Sequence, residues 1–169
     1  MAVDKDKLKV EFFWHGLKRI NGGEDHYVLP KADYYVDCRV IPEKGIRGMS
    51  GTDPSFLAGV MEKAPYTIRN ICTLVEEAAD LILARRNDLV DPYSKPFRVC
   101  FYCAYAIHRS PSATTLVAER LRKKGYNITT PEKWQPYYKT KYKVHEVQGI
   151  NNSHQIVSKV VGKTIPSCE

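Results

Sequence analysis

The sequence predicts a single α/β domain built on a largely parallel sheet flanked by helices. Three observations carry that expectation. β-rich runs alternate with helix-periodic segments, the order from which parallel sheets are assembled. Residues 32–41 (ADYYVDCRVI) are apolar almost throughout, as a strand buried on both faces is. Residues 97–110 (FRVCFYCAYAIHRS) read as a strand, a short loop and a helix start, a junction that gathers backbone N–H groups around one point.

Taken in order, residues 8–15 (LKVEFFWH) form the opening strand, and Gly22 and Gly23 punctuate the turn after it. Residues 32–41 form the second strand. Pro42, Gly45, Gly48, Gly51 and Pro54 then mark a long loop, a usual place for ligand contacts after a buried strand. Residues 55–63 form a short helix. Ile68, Ile71, Val75, Ala79 and Ile82 recur at helical spacing, with Arg69, Glu76, Glu77 and Arg86 mostly on other faces. A loop over 87–96 leads to the third strand, 97–102, and a helix through Leu121. Gly125 is its C-terminal cap, and Asn127 and Ile128 enter another extended piece. A short helix within 150–161 closes the chain. In this architecture the ends of the second and third strands lie at one edge, so the loops that follow share a site.

At 169 residues and 43% hydrophobic, the chain is long enough for one domain with a substantial core and short for two. Residues 1–128 are read as the α/β domain. Residues 129–169 are read as a basic, aromatic C-terminal extension packed on or flanking it. No apolar run approaches the length of a bilayer span, and the opening MAVDKDKLKV lacks the apolar core of a secretory signal. The 5 cysteines, odd in number and without scaffold spacing, favour a reducing, cytoplasmic or otherwise intracellular setting. A formal net charge of +7 favours anionic partners.

Cys103, five residues, Arg109 and Ser110 is the signature spacing of cysteine-dependent phosphatases, in which a loop holds phosphate while a thiolate attacks it. Such loops normally carry glycine after the cysteine, where the backbone turns sharply towards the phosphate. Here the residues are Ala104, Tyr105, Ala106, Ile107 and His108. The spacing therefore indicates an anion site more strongly than an enzyme. In the enzyme reading Cys103 is the nucleophile and Arg109 clamps the transition state.

With these elements placed, the chain resembles the C-terminal domain of the RapZ family, bacterial RNase adaptor proteins that bind a small regulatory RNA and sense glucosamine-6-phosphate. ADYYVDCRVIP resembles the family's Asp-x-Arg strand, and GIRGMSGTDP its loop of Leu-Arg-Pro-x-Thr-Gly-x-Asp type. CAYAIHRSPSATTLVAERL resembles its Cys-Thr-Gly-Gly-x-His-Arg-Ser motif and following helix. The likeness covers about residues 8–128. The family's amino-terminal P-loop kinase-like domain has no counterpart here, and Ala104, Tyr105 and Ala106 replace its Thr-Gly-Gly. A lesser likeness to low-molecular-weight tyrosine phosphatases rests on Arg109 to Pro111 and the helix.

The resemblance implies binding of a phosphorylated small molecule, a sugar phosphate or nucleotide, with RNA as a second partner and no membrane. The implied ligand residues are Asp37, Arg39, Arg47, Ser50, Gly51, Cys103, Ala104, Tyr105, His108, Arg109 and Ser110. Asp37 and Arg39, two apart on a strand, point to one face and either pair with each other or meet the ligand. Asp53 caps the helix after it whatever else it does. Ser110 either donates to the anion or caps its helix, with Pro111 following. The RNA candidates are Arg122, Lys123 and Lys124, which equally complement a helix C-terminus, and Lys139, Lys141 and Lys143. In YYKTKYK (137–143) rings alternate with lysines, which fits a single-stranded RNA groove or an amphipathic edge strand. A ligand-free RNA or protein interaction module is the third reading.

No cofactor and no resident metal are expected. Cys100 and Cys103 on an extended strand lie roughly 10 Å apart, too far for a disulfide. No second cysteine pair completes a zinc site, although Cys38, His15 and His145 are conceivable ligands. Asp91, Pro92 and Tyr93 read as a turn.

Overall fold

The computed structural model describes residues 3–16, 29–41, 51–86, 89–103, 108–131, 146–151 and 156–159. The apolar runs become strands β1 (Lys9–Gly16), β2 (Tyr34–Asp37), β3 (Phe97–Cys103) and β4 (Asn127–Thr129). β5 (Glu146–Asn151) and β6 (Ile156–Lys159) follow. They form one sheet in the order β4-β1-β3-β2-β5-β6. Every pairing from β4 to β5 is parallel, and β6 runs antiparallel to β5 at the edge. The protein is a single α/β domain.

Among the described residues, three helices build the layer above the sheet: α1 (Pro54–Lys63), α2 (Pro65–Arg85) and α3 (Arg109–Lys123). The 3.6-residue period of α2 buries Ile68, Ile71, Cys72, Val75, Ala79 and Leu83 on one stripe. These residues join Phe56 and Val60 of α1 and Val117 and Leu121 of α3 in one core. The strands contribute Val10 and Phe12, Tyr34 and Val36, and Val99 and Phe101, alternate residues of one sheet face. Phe12 meets Phe101 edge to face at 4.8 Å between ring centroids. The steps β2 to β3 and β3 to β4 go the same way along the sheet, so right-handed crossovers put α2 and α3 on the same face, in contact.

Caps set the element ends. Asp53 accepts a hydrogen bond from Ser55 N (3.0 Å), and Pro54 supplies the fixed φ of a first helical residue. At the other end of α3, Gly125 adopts φ 98°. Tyr126 N then donates to Leu121 O (3.1 Å) and Gly125 N to Arg122 O (3.0 Å), the paired bonds of a Schellman motif. Asp91 turns the chain before β3 by accepting from Tyr93 N (3.0 Å).

Two sequence expectations fail. The second strand stops at Asp37 instead of running to 41, because the Asp37 carboxylate accepts Arg39 N (3.0 Å) and winds Cys38–Val40 into a 3-10 turn. The closing helix expected within 150–161 is replaced by β5 and β6, in a stretch rich in β-branched residues. β5 adds to the free edge of β2, so the sheet continues into the C-terminal extension. No helix among the described residues is long and apolar enough to cross a membrane.

Candidate functional site

Parallel register brings the carboxyl ends of three strands together: Asp37 lies level with Tyr102, and Gly16 with Cys103. Beyond this edge α3 begins at Arg109, six residues after the end of β3. His108 occupies the N-cap position but makes no capping hydrogen bond through its side chain, and the first turn carries no acidic residue. Ser110 is therefore not the cap that the sequence allowed. It lies inside the first turn, fully buried, where Cys103 Sγ donates to its Oγ at 3.1 Å.

Asp37 and Arg39 pair directly. Arg39 Nε donates to Oδ1 (3.1 Å) and Nη2 to Oδ2 (3.2 Å), a two-pronged bridge. They meet through the 3-10 turn, so the same-face argument from an extended strand gives the right neighbours for the wrong reason. Asp37 is buried, with 6% of its side chain exposed against 24% for Arg39. Arg109 Nη1 donates to the Arg39 carbonyl oxygen at 3.4 Å, tying the start of α3 to the 3-10 turn after β2. Two guanidinium-bearing residues thus converge on the carboxyl edge of adjacent strands.

The loop after β2 joins the same corner. Gly51 lies so close to His108 that a methyl group there would overlap the His108 carbonyl oxygen and lie 2.9 Å from its carbon and Cα. This close approach is what requires glycine at position 51. The His108 ring stacks on Phe56 of α1, 5.1 Å between centroids and 18° between planes. Phe56 escaped the sequence reading, which could place it only as an apolar helix position. Cys38, conceivable from sequence as a metal ligand near Cys103, is fully buried beside this corner. Burial, and next the adjacent Cys103, pushes its thiol well above the usual range. It stays protonated and packs as an apolar group.

Of the expected ligand residues, the structure therefore gathers Asp37, Arg39, Gly51, Cys103, His108, Arg109 and Ser110 at one edge. Arg47, Ser50, Ala104 and Tyr105 lie outside the described residues, as do Lys139, Lys141, Lys143 and His145. The three described RNA candidates have structural partners. Arg122 Nε and Nη2 donate to Ile128 O (3.1 and 2.7 Å), Lys123 bridges Glu119 (3.5 Å), and Lys124 bridges Glu76 (2.7 Å). Arg122 braces the turn from α3 into β4, Lys123 pairs within α3, and Lys124 ties the end of α3 to α2.

Cys38, Cys72, Cys100 and Cys103 are free thiols, all buried. His15 is buried in β1, its Nδ1 2.7 Å from Gly16 O. Among the described residues no group of three or more His, Cys, Asp and Glu side chains is arranged to hold a metal ion.

In comparisons with known proteins, no family model and no curated protein matches the chain.

Proposed function

We propose that the carboxyl edge of the sheet binds the phosphate group of a phosphorylated small molecule. The observation that carries this reading is the placement of Arg109 as the first residue of α3, in contact with the Arg39 carbonyl in the turn that follows β2. A helix N-terminus favours negative charge through its unsatisfied N–H groups and its dipole, and a guanidinium matches phosphate oxygens two at a time. Here the N-cap residue, His108, makes no capping hydrogen bond through its side chain. On this reading Asp37 orients Arg39 rather than meeting the ligand's hydroxyl groups. The RapZ-like pattern makes sugar phosphates and nucleotides the classes to test, with RNA as a second partner through the basic tail. A thermal-shift screen of phosphate, glucosamine-6-phosphate, other sugar phosphates and nucleotides tests it. A rise with one class, lost in Arg109→Ala, supports the reading; no rise with any compound overturns it.

The 3.1 Å contact between Cys103 and Ser110 favours a second reading, a cysteine-dependent phosphatase. A hydroxyl beside the sulfur is placed to stabilise a thiolate, which would attack phosphorus and displace the ester oxygen as an alcohol or phenol while Arg109 holds the phosphoryl oxygens, water then cleaving the S–P bond to release phosphate. Against it, Cys103 is only 3% exposed. Hydrolysis of an aryl phosphate should therefore stay at background. Turnover that vanishes in Cys103→Ser would replace the binding reading with the enzymatic one.

A further inference from the structure

The opposite edge of the sheet holds a second feature. A cleft of about 470 Å³ opens where residues 31–33 enter β2, residues 95–98 enter β3 and α2 ends. Among the described residues its charged lining is Lys31, Arg85, Arg86, Lys95 and Arg98 against the carboxylate of Asp33. β3 has 7 residues, so this edge and the Arg109 corner are separated by roughly 20 Å, the length of such a strand.

The cations divide into two sets. Arg86 and Arg98 build the walls. Arg86, 11% exposed, donates to Pro92 O (3.0 Å), Lys95 O (2.7 Å) and Pro96 O (2.9 Å) and bridges Asp33 (3.5 Å). Arg98 Nη1 donates to Lys31 O (2.7 Å) and Nε to Glu11 Oε2 (3.1 Å), while Asp33 Oδ2 accepts Arg98 N (2.8 Å). These bonds fix the backbone that carries Lys31 and Lys95. The side chains of Lys31, Arg85 and Lys95 are exposed, and none has a hydrogen bond or ion pair among the described residues. Three cations without a partner among the described residues are thus held around one cleft by a rigid frame, an arrangement that self-repulsion opposes until an anion enters.

The cleft's volume falls in the range of small-molecule sites and exceeds what one phosphate fills. Among the described residues no aromatic ring lines it, so these residues offer bases no stacking platform and recognise charge alone. We propose that this cleft binds an oligophosphate, a ligand with two or more linked phosphate groups, through Lys31, Arg85 and Lys95. The site is independent of the anion site at Arg109.

Inorganic tripolyphosphate is the probe, titrated by calorimetry at low ionic strength into the full chain. The triple variant Lys31→Gln/Arg85→Gln/Lys95→Gln removes charge without touching a described bond and relieves the repulsion among the three, so its melting temperature without ligand should equal or exceed that of the wild type. Losing three charge-assisted contacts should raise Kd by about tenfold or more. Arg109→Ala should leave Kd unchanged. No saturable binding, an equal Kd in the triple variant, or a loss in Arg109→Ala would each overturn the proposal. A short single-stranded RNA that binds more tightly than tripolyphosphate through the same three residues would overturn it in favour of a nucleic-acid site.

Discussion

Gly51→Ala tests how the loops after β2 and β3 meet. The added methyl would occupy the space of the His108 carbonyl oxygen and stand 2.9 Å from two further backbone atoms. The obstacle is backbone, so no side-chain rotation relieves it. His108 is also held from the other side by its stack on Phe56 and through Ser112 N, which donates to His108 O at 3.0 Å. Overpacking of this kind costs about 1–3 kcal/mol. For a chain of 169 residues, that corresponds to a fall in melting temperature of roughly 2–12 °C. The assay is thermal unfolding by circular dichroism, paired with a phosphate titration. Displacing His108 moves the first turn of α3, so the variant should also lose phosphate affinity. A melting temperature unchanged to within about 1 °C would refute the close approach, since even the low end of the overpacking range exceeds it.

Gly125→Ala forces a side chain into a positive φ of 98° and should cost about 1 kcal/mol, read from urea unfolding. Arg86→Ala removes bonds to three carbonyl oxygens and Asp33, and orphaning such acceptors should destabilise by about 1–3 kcal/mol in the same assay; Arg86→Lys should restore little of it. Stability should fall as pH rises. Burial raises the folded-state pKa of the Cys38 and Cys72 thiols, and of the Tyr34, Tyr35 and Tyr126 phenols. For Tyr126 the neighbouring Glu76 adds to the effect of burial. The unfolded chain therefore releases these protons first. The stabilisation is complete below the ordinary thiol value of 9.0 and is lost progressively as pH climbs through and beyond the ordinary tyrosine value of 10.0. Melting temperatures measured from neutral to strongly alkaline pH should decline over that window, and a flat profile would contradict the burial of these groups.

Much of the frame was legible because local chemistry and tertiary structure agree. The period of Ile68, Ile71 and Val75 marks α2, Asp53 and Pro54 start α1, and Gly125 ends α3. The order of strands and helices gives the parallel sheet. Less legible were features decided by single side chains. Nothing in ADYYVDCRVI says that the Asp37 carboxylate will take Arg39 N and end the strand four residues early. Residues 150–161 carry β-branched residues that also fit a short buried helix, and pairing of β5 with β2 decides between them. At the site, the spacing of Cys103, Arg109 and Ser110 located the corner. It did not reveal that Ser110 turns to Cys103, that His108 stacks on Phe56, or that Arg109 reaches Arg39, because sequence spacing carries no information about which side chains meet across the fold. The cleft around Lys31, Arg85 and Lys95 is likewise assembled from three separate segments and leaves no motif.

The most direct test of the proposed anion site is a phosphate titration followed by thermal unfolding, comparing the parent with Arg109→Ala. Both should carry Lys31→Gln, Arg85→Gln and Lys95→Gln, so that the cleft at the other edge contributes nothing. Ligand at about a hundred times Kd stabilises the folded state by about 2.7 kcal/mol, a rise of roughly 5–11 °C for a chain of this size. The account predicts a saturable rise in the parent and none in Arg109→Ala. An equal rise in both proteins, or no rise in either, would contradict it.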